Sequence, residues 1–450
     1  MSNKNMGIIT NSMIKAFKKE FLKSSHNKIM MDAVTNTSVS DVAMNRQSLI
    51  NMDFTFSNEI KTGKITYQKH SGRCWIFAGT NTLRIYLMRK LNLEQFELSQ
   101  SYPFFFDKLE KSNYFLENII ETIDDDIRDR TVMWLLKSPI GDGGQWDMFI
   151  NLVEKYGIVP KNIYPETYNS SNSGMLNKLL TQKLREFASA LRKMRRNGKK
   201  IQEIRKEKDR MIGEVYKFLA ISFGIPPEKF DFEYRDKKEK FHRVKGLTPK
   251  EFYKEFIGLD LRDYVSIINA PMEDKEFQKT YTVKYLGNVK GGKDILYLNL
   301  PMEELKKFSI KQLKNNEPVW FGCDVGQFSH RDKGIMDVNL YDYSLVFDTG
   351  FKWDKGERLD YGESRLTHAM VFTGVNLFDG KPNRWKVENS WGKDVGDKGF
   401  FVMSDQWFDE FLYQVVINKK YIPEKIKKLL KKKPSILPPW DPMGSLAIMV

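Results

Sequence analysis

Two kinds of hydrophobic pattern divide the chain. After Cys74, a long run without proline places apolar residues at helical spacing, at Ile76, Phe77, Leu83, Leu87 and Leu91. This spacing, in a segment with few charges, predicts a helix that is largely buried. Gly72 fits a tight turn into that helix. We therefore expect Cys74 to lie at or near the helix N-terminus.

The remaining helical pattern is confined to the first half of the chain. Residues 97–160 look helical with turns, and residues 175–220 are strongly helical but polar. The C-terminal half contains short alternating runs rich in β-branched and aromatic residues, which predict strands: TYTVKYLGNV, DILYLNL, PVWFGCDV, SLVF, HAMVFTGVNL, RWKVENSWG, GFFVM and YQVVI. Helices followed by strands predict the α+β class, with an antiparallel sheet in the second half.

The composition is that of an ordinary soluble globular protein. The chain has 450 residues, of which 41% are hydrophobic and 29% charged, enough for a large core and two or three subdomains. No apolar stretch approaches the ~20 residues that span a membrane, and the N-terminus lacks the apolar core of a signal peptide. With only two cysteines, Cys74 and Cys323, a reducing, cytoplasmic location is expected. Without CxxC, HExxH or a phosphate-binding loop, the sequence predicts no metal or cofactor.

The positive charge is concentrated in two segments. The net charge is +15, and residues 175–245 contain 21 Lys+Arg against 10 Asp+Glu, while residues 419–433 contain eight Lys against one Glu. Such segments either form solvated helical faces or bind polyanions. Because no nucleic-acid recognition motif accompanies them, solvated faces are the preferred interpretation.

Four residues have the chemistry of a nucleophilic site. A free thiol titrates near ~8.5, and the N–H groups at a helix N-terminus or an ion pair with histidine would favour its thiolate. His368 opens an apolar strand that can hold its imidazole, and Asn389 follows a second strand and can fix the ring tautomer. Gln68 lies six residues before Cys74. Its amide could stabilise an oxyanion together with the Cys74 backbone N–H.

Each of these residues alone is more often structural, but their order and contexts are specific. The segments QKHSGRCWIFA, THAMVFTGV and VENSWG resemble the three active-site blocks of papain-like cysteine peptidases. Arg73 departs from the usual C-G-[SA]-C-[WY] signature, and 294 residues separate Cys74 from His368, roughly twice the ~130–150 of papain. Both features, with SPIGDGGQWDM and PPWDPMGSLA, resemble the bleomycin hydrolase and aminopeptidase C branch. This resemblance runs from about residue 50 to the C-terminus.

The resemblance implies a broad-specificity cysteine aminopeptidase that forms a thioacyl-enzyme intermediate. Cys74 would be the nucleophile, His368 the general base and then the acid, Asn389 the residue that orients His368, and Gln68 the second oxyanion donor. Substrate-binding roles are implied for Trp391, which would shield the His368–Asn389 hydrogen bond, and for Gly143 and Gly144, which would pair with the substrate backbone. Cys323 is most simply a buried strand residue.

The apolar C-terminus is implied to regulate access. In the branch, a C-terminal arm lies in the active-site cleft and its carboxylate binds the substrate's α-amino group. Tails of this type end near the position of Ala447, whereas this chain continues to Val450. The carboxylate of either residue is therefore a candidate for substrate binding. The resemblance also implies ring-shaped homohexamers and allows weak, non-specific nucleic-acid binding.

The expected architecture is a papain-like α+β fold with a large insertion. Five segments are predicted: an N-terminal helical extension (1–50), a helical domain carrying the cysteine (51–170), a basic helical insertion (171–260), a β-rich domain carrying the histidine and asparagine (261–433), and the arm (434–450). Two alternatives remain open at this point. One is an endopeptidase, if the arm does not block the cleft; the other is a DNA- or polyanion-binding protein with a vestigial site.

Overall fold

The computed structural model describes residues 7–448, the last of these by its backbone alone. Within this range, none of the helices combines the length and the apolar character that crossing a membrane requires. The chain begins with short helices and one short strand: α1 (Asn11–Phe21), α2 (Ser25–Asn36), α3 (Val39–Ala43), α4 (Arg46–Asn51) and β1 (Asn58–Glu59). Residues 11–36 thus contain two helices, within the segment predicted as an N-terminal helical extension.

The helical half is built around one buried helix. Its members are α5 (Cys74–Lys90), α6 (Ser101–Glu121), α7 (Arg130–Lys137) and α8 (Trp146–Tyr156). Helix α5 is buried on nearly all sides, including polar residues such as Asn81 and Arg84, as expected of a helix with no clear polar face. The predicted buried helix, with Cys74 at its N-terminus, is confirmed.

A long helical pair and a hairpin follow: α9 (Tyr168–Ser171), α10 (Gly174–Arg196), α11 (Ile201–Phe223), β2 (Phe230–Arg235) and β3 (Phe241–Leu247). The hairpin was not predicted, so this segment is not purely helical. The two long helices bury apolar residues at helical spacing, while their basic residues pair along the outer faces. Arg210, for example, pairs with Glu207 and Glu214. The solvated-face interpretation describes these helices well.

The second half contains a mixed twelve-stranded sheet. Its further strands are β4 (Tyr264–Ile268), β5 (Thr280–Val283), β6 (Tyr297–Asn299), β7 (Val319–Cys323), β8 (Ser329–His330), β9 (Ile335–Met336), β10 (His368–Phe378), β11 (Lys381–Glu388), β12 (Phe400–Ser404), β13 (Leu412–Asn418) and β14 (Ser435–Leu437). The central order β4-β13-β7-β10-β11-β12 is antiparallel, as predicted. Three pairs nearer the ends, β4–β6, β5–β14 and β9–β12, are parallel.

Short helices complete the fold: α12 (Pro249–Phe252), α13 (Met302–Lys314), α14 (Tyr343–Phe347), α15 (Lys355–Asp360), α16 (Asp405–Phe411), α17 (Glu424–Lys427) and α18 (Ser445–Ile448). Helix α14 corrects the prediction of a strand at SLVF. Only Val346 is buried there, while Leu345 and Phe347 are exposed. A run of three apolar residues does not distinguish a helix from a strand by periodicity alone.

The sheet and α5 together position the chemistry. His368 is the first residue of β10, and Asn389 directly follows the neighbouring β11. The two strands pair with Val371 opposite Glu388, which brings the Asn389 side chain beside His368. Helix α5 packs against β10, so that its N-terminus meets the same end of the strand. The predicted α+β arrangement therefore joins two separate halves of the chain at one cleft.

Candidate active site

Cys74 occupies the first position of α5 and is only 4% exposed. The preceding residue, Arg73, provides no side-chain cap for the first turn, so the free N–H groups of that turn are not consumed by a capping side chain. The backbone N–H groups of Ala369, Trp75 and Cys74 itself favour the thiolate and so lower the pKa of Cys74. Ala369 directly follows His368 in the chain, and α5 packs against the strand that contains both residues.

The side chains of His368 and Asn389 form the predicted pair. His368 Nε2 lies 2.9 Å from Asn389 Oδ1, and the Ser390 backbone N–H donates to the same oxygen at 2.7 Å. Because an amide oxygen can only accept, Nε2 must carry the proton, which leaves Nδ1 as the basic nitrogen. The hydrogen bond thus selects the tautomer that can take a proton from Cys74.

Trp391 covers this pair. Its ring centroid lies 4.9 Å from that of His368, and its edge packs against Phe401. The guanidinium of Arg331 lies 5.1 Å above the indole. The indole therefore packs against both the His368 ring and the core residue Phe401, an arrangement compatible with the predicted shielding role.

Gln68 is fixed at both ends of its amide. Ser390 Oγ donates to Oε1 at 2.7 Å, and Nε2 donates to the Ser71 carbonyl at 2.7 Å. This assignment leaves the second N–H of Nε2 available to an oxyanion. Ser390 was missed by the sequence-based predictions, although it lies within the VENSWG motif. Its hydroxyl holds the Gln68 amide in place.

Replacing Gln68 by alanine should reduce kcat by about 10²–10³-fold, the cost of removing one oxyanion donor. KM should change little, because the donor matters most once negative charge develops on the oxygen. Steady-state hydrolysis of an amino-acid arylamide measures both constants. Gln47→Ala, at an exposed glutamine in α4, is the matched control. A kcat within threefold of the unmodified protein would remove Gln68 from the oxyanion site.

Burial sets the protonation states of the reacting pair. It raises the pKa of Cys74 to about 11, although the surrounding backbone N–H groups oppose the shift. It lowers the pKa of His368 to about 4, against the opposing hydrogen bond to Asn389. Burial thus favours the uncharged forms of both groups, a thiol and a neutral imidazole. The imidazole is the free base that the thiol proton requires.

The glycine loop after α7 meets the C-terminal arm. A Cβ on Gly143 would lie 2.0 Å from the Leu446 carbonyl oxygen, so only glycine allows the arm's backbone to approach there. Gly144 instead faces Trp75, whose ring would lie 2.4 Å from an added Cβ. Ala447 lines a cavity of about 70 Å³ next to this loop. Val450 lies outside the described residues.

A buried group of charged side chains packs against the glycine loop and stabilises it. Lys108 Nζ lies 2.6 Å from Asp142 Oδ1, and Lys111 donates to the Gly143 carbonyl at 2.5 Å. Asp142 also accepts from the Gly72 backbone N–H at 2.9 Å and from Ser173. Burial would raise the pKa of Asp142, but Lys108 and these hydrogen bonds hold it below its ordinary value. The network links the glycine loop to the turn before Cys74.

Two buried arginines hold α5 in place. Arg73, the departure from the usual signature, pairs with Glu166 at 2.9 Å and lies over the rings of Phe77 and Phe104. Arg84 pairs with Glu388 at 2.5 Å, and both side chains are almost fully buried. This second pair ties the helix that carries Cys74 to the strand end that carries Asn389.

Cys323 lies outside the chemistry. It is completely buried in β7, opposite His368 in the strand register, and both cysteines are free thiols. Burial raises its pKa well above the ordinary value, and the negative charge of Asp324 adds to the shift. A thiol held in this state is a structural residue, as the sequence suggested.

A buried helix that begins at a cysteine, joined to a sheet that supplies histidine and asparagine, defines a papain-type cysteine peptidase. The model of the Peptidase C1-like family matches residues 8–444, and the chain belongs to that family. Its fold is therefore the papain-like α+β fold expected from the sequence motifs.

Relatives with described activities match nearly the whole chain. Aminopeptidase C of Lactobacillus helveticus is 48% identical over 442 residues, covering 98% of each protein. Bleomycin hydrolase of Homo sapiens is 43% identical over 423 residues, covering 92% of this chain and 93% of that protein. The crystal structure of PepW from Lactobacillus rhamnosis HN001 superimposes with a TM-score of 0.96 at 50% identity, covering 97% of this chain and 99% of that one. These similarities support a cysteine aminopeptidase function.

Proposed function

We propose that the protein removes amino acids one at a time from the N-termini of peptides, with broad specificity. Cys74, His368, Asn389 and Gln68 act as nucleophile, base, orienting residue and oxyanion donor. The C-terminal arm occupies the part of the cleft on the N-terminal side of the first substrate residue. Its carboxylate binds the substrate's α-amino group. The carboxylates of Val450 and Ala447 are both candidates for this role. Ala447 would provide the carboxylate only after removal of the last three residues.

The reaction proceeds in two displacements. The Sγ proton passes to His368 Nδ1 as sulfur bonds to the substrate carbonyl carbon, and the new oxyanion accepts from Gln68 Nε2 and the Cys74 N–H. The C–N bond then breaks as the imidazolium protonates the leaving amine. Water, deprotonated by His368, attacks the thioester, releases the amino acid and restores the thiol. Trp391 keeps bulk water away from the His368–Asn389 bond throughout.

The observation that carries the exopeptidase proposal is the close approach of Leu446 to Gly143. A substrate with further residues on the N-terminal side of the residue that is removed would need the backbone position at Gly143. The arm already fills that position. A free α-ammonium group would pair with the carboxylate proposed for the arm, whereas a blocked N-terminus would leave that charge unpaired. While the arm occupies the cleft, the same argument disfavours endopeptidase activity.

The test compares two fluorogenic peptides that differ only in N-terminal acetylation. We expect the free peptide to be hydrolysed at least ~100-fold more efficiently by kcat/KM, which corresponds to about 2.7 kcal/mol of differential binding. The release of single amino acids in sequence, followed by mass spectrometry, is the accompanying product measurement. Similar rates on both peptides would instead assign the protein to the endopeptidases.

Assembly and location are further parts of the proposal. We propose a cytoplasmic homohexamer. The apolar side chains of α1, among them Ile14, Phe17 and Phe21, are exposed in the single chain, which favours burial against other copies. Nucleic-acid binding would be weak and non-specific, because cations of α10 and α11 such as Arg195 and Arg205 already pair with carboxylates.

A further inference from the structure

The arm turns into the cleft at Asp441. Before this point, β14 (Ser435–Leu437) lies along the sheet edge, paired with β5. After it, a single 3-10 turn (Pro442–Gly444) leads into α18. Asp441 Oδ1 accepts from the Met443 backbone N–H at 2.9 Å, and its backbone carbonyl accepts from Gly444 N at 3.0 Å. The residue therefore determines the direction in which the last residues leave the sheet.

The carboxylate of Asp441 is held by a buried cation. Its Oδ2 lies 2.8 Å from Lys275 Nζ, and the side chains are 3% and 0% exposed. Lys275 also contacts Asp274, whose side chain is largely exposed. The loop that carries Lys275 is fixed in turn, because Asn299 Nδ2 donates to the carbonyls of Lys275 and Ala270. The cation thus reaches the arm from a rigid part of the sheet domain.

Within residues 442–448, the side-chain hydrogen bonds to the sheet domain join neutral groups. Tyr297 donates its hydroxyl to the Met443 carbonyl at 3.1 Å, and Ser445 Oγ donates to the Leu366 carbonyl at 2.8 Å. Met443 and Leu446 are buried among apolar side chains. Removing one partner of a buried ion pair leaves the other charge uncompensated, which destabilises far more than loss of an exposed pair. In this protein, loss of one partner would destabilise the arm in the cleft-bound position.

We propose that the Lys275–Asp441 ion pair is the clamp that keeps the arm in the cleft, and that it thereby sets the requirement for a free N-terminus. This inference rests on the proposed function, since it assigns to two residues the control of a gate proposed above. Both residues act on specificity through the arm and contact neither the substrate nor Cys74. Loss of the pair should shift the arm toward open positions. The cleft should then admit peptides with further groups on the N-terminal side of the cleaved residue.

The variant Lys275→Met keeps the length of the side chain and removes its charge. We expect its kcat/KM on the acetylated peptide to rise at least tenfold, with a corresponding fall in the preference for the free peptide. Lys279→Met, which removes an exposed lysine of the same loop that pairs with Glu276, should leave the preference unchanged. A folded Lys275→Met variant with the preference of the unmodified protein would overturn the clamp.

Two further variants make every outcome informative. If Lys275→Met does not fold, Asp441→Asn is measured instead, because its amide oxygen can still accept from Met443 N. Failure of both to fold would make the pair a requirement of the fold and would also overturn the proposal. A chain ending at Gly444 is the reference for an absent arm. If that chain cleaves acetylated peptide and Lys275→Met does not, only the clamp is wrong; if neither does, the arm proposal itself fails.

Discussion

Replacing Cys74 by serine is expected to abolish peptide hydrolysis while leaving the fold intact. The serine side chain is nearly isosteric with that of cysteine, so the site that holds the thiol can accommodate a hydroxyl. A hydroxyl is a much weaker acid than a thiol, however, and a neutral imidazole of low basicity in this buried site cannot activate it to a comparable extent. We expect kcat/KM on an amino-acid arylamide to fall on the order of 10³-fold or more.

The second cysteine provides the matched control for this experiment. Cys323→Ala removes the other free thiol from the core of β7 and should retain hydrolysis. A thiol-directed epoxide should label the unmodified protein and Cys323→Ala once per chain, and Cys74→Ser not at all. Circular dichroism and thermal unfolding establish that each variant is folded. Appreciable hydrolysis by folded Cys74→Ser would place the chemistry elsewhere in the chain.

The parts of the site that sequence predicts best are those with a local pattern. Cys74 is followed by a helical apolar run, and His368 and Asn389 each adjoin an apolar strand, so the elements that present them are visible in the chain itself. The order of these motifs resembles that of the papain-like family, and this resemblance predicts that the residues share one site. The sequence has no comparable local signal for the strand direction near the ends of the sheet. Whether two strands pair in parallel depends on how distant segments are connected.

The supporting charges could not be predicted for a related reason. Lys108, Lys111 and Arg84 occur in helices where charged residues are ordinarily assigned to the solvent face. Their burial is explained only by partners far away in sequence, such as Asp142 for Lys108 and Glu388 for Arg84. Arg73 was visible as a departure from the family signature, but its partner Glu166 was not. Long-range ion pairs of this kind become apparent only once the fold is known.

Removing the last six residues, so that the chain ends at Gly444, should convert the protein from an exopeptidase to an endopeptidase. The Leu446 carbonyl would no longer approach Gly143, which frees the backbone position that a longer substrate needs. The proposed function also predicts loss of the carboxylate with which a free α-amino group would pair. We expect kcat/KM on acetylated peptides to rise and the ratio between free and acetylated peptides to fall from at least ~100 to near 1.

A shorter truncation identifies the carboxylate that receives the amine. A chain ending at Ala447 retains Leu446, its approach to Gly143 and the Ser445–Leu366 hydrogen bond, so the cleft should stay blocked. If this chain keeps the preference for free N-termini, the Ala447 carboxylate can serve as the amine-binding group; if it loses that preference while acetylated peptides remain poor substrates, the group belongs to Val450. An unchanged preference in the chain that ends at Gly444 would contradict gating by the arm, because no residue that approaches Gly143 from the C-terminus would then remain.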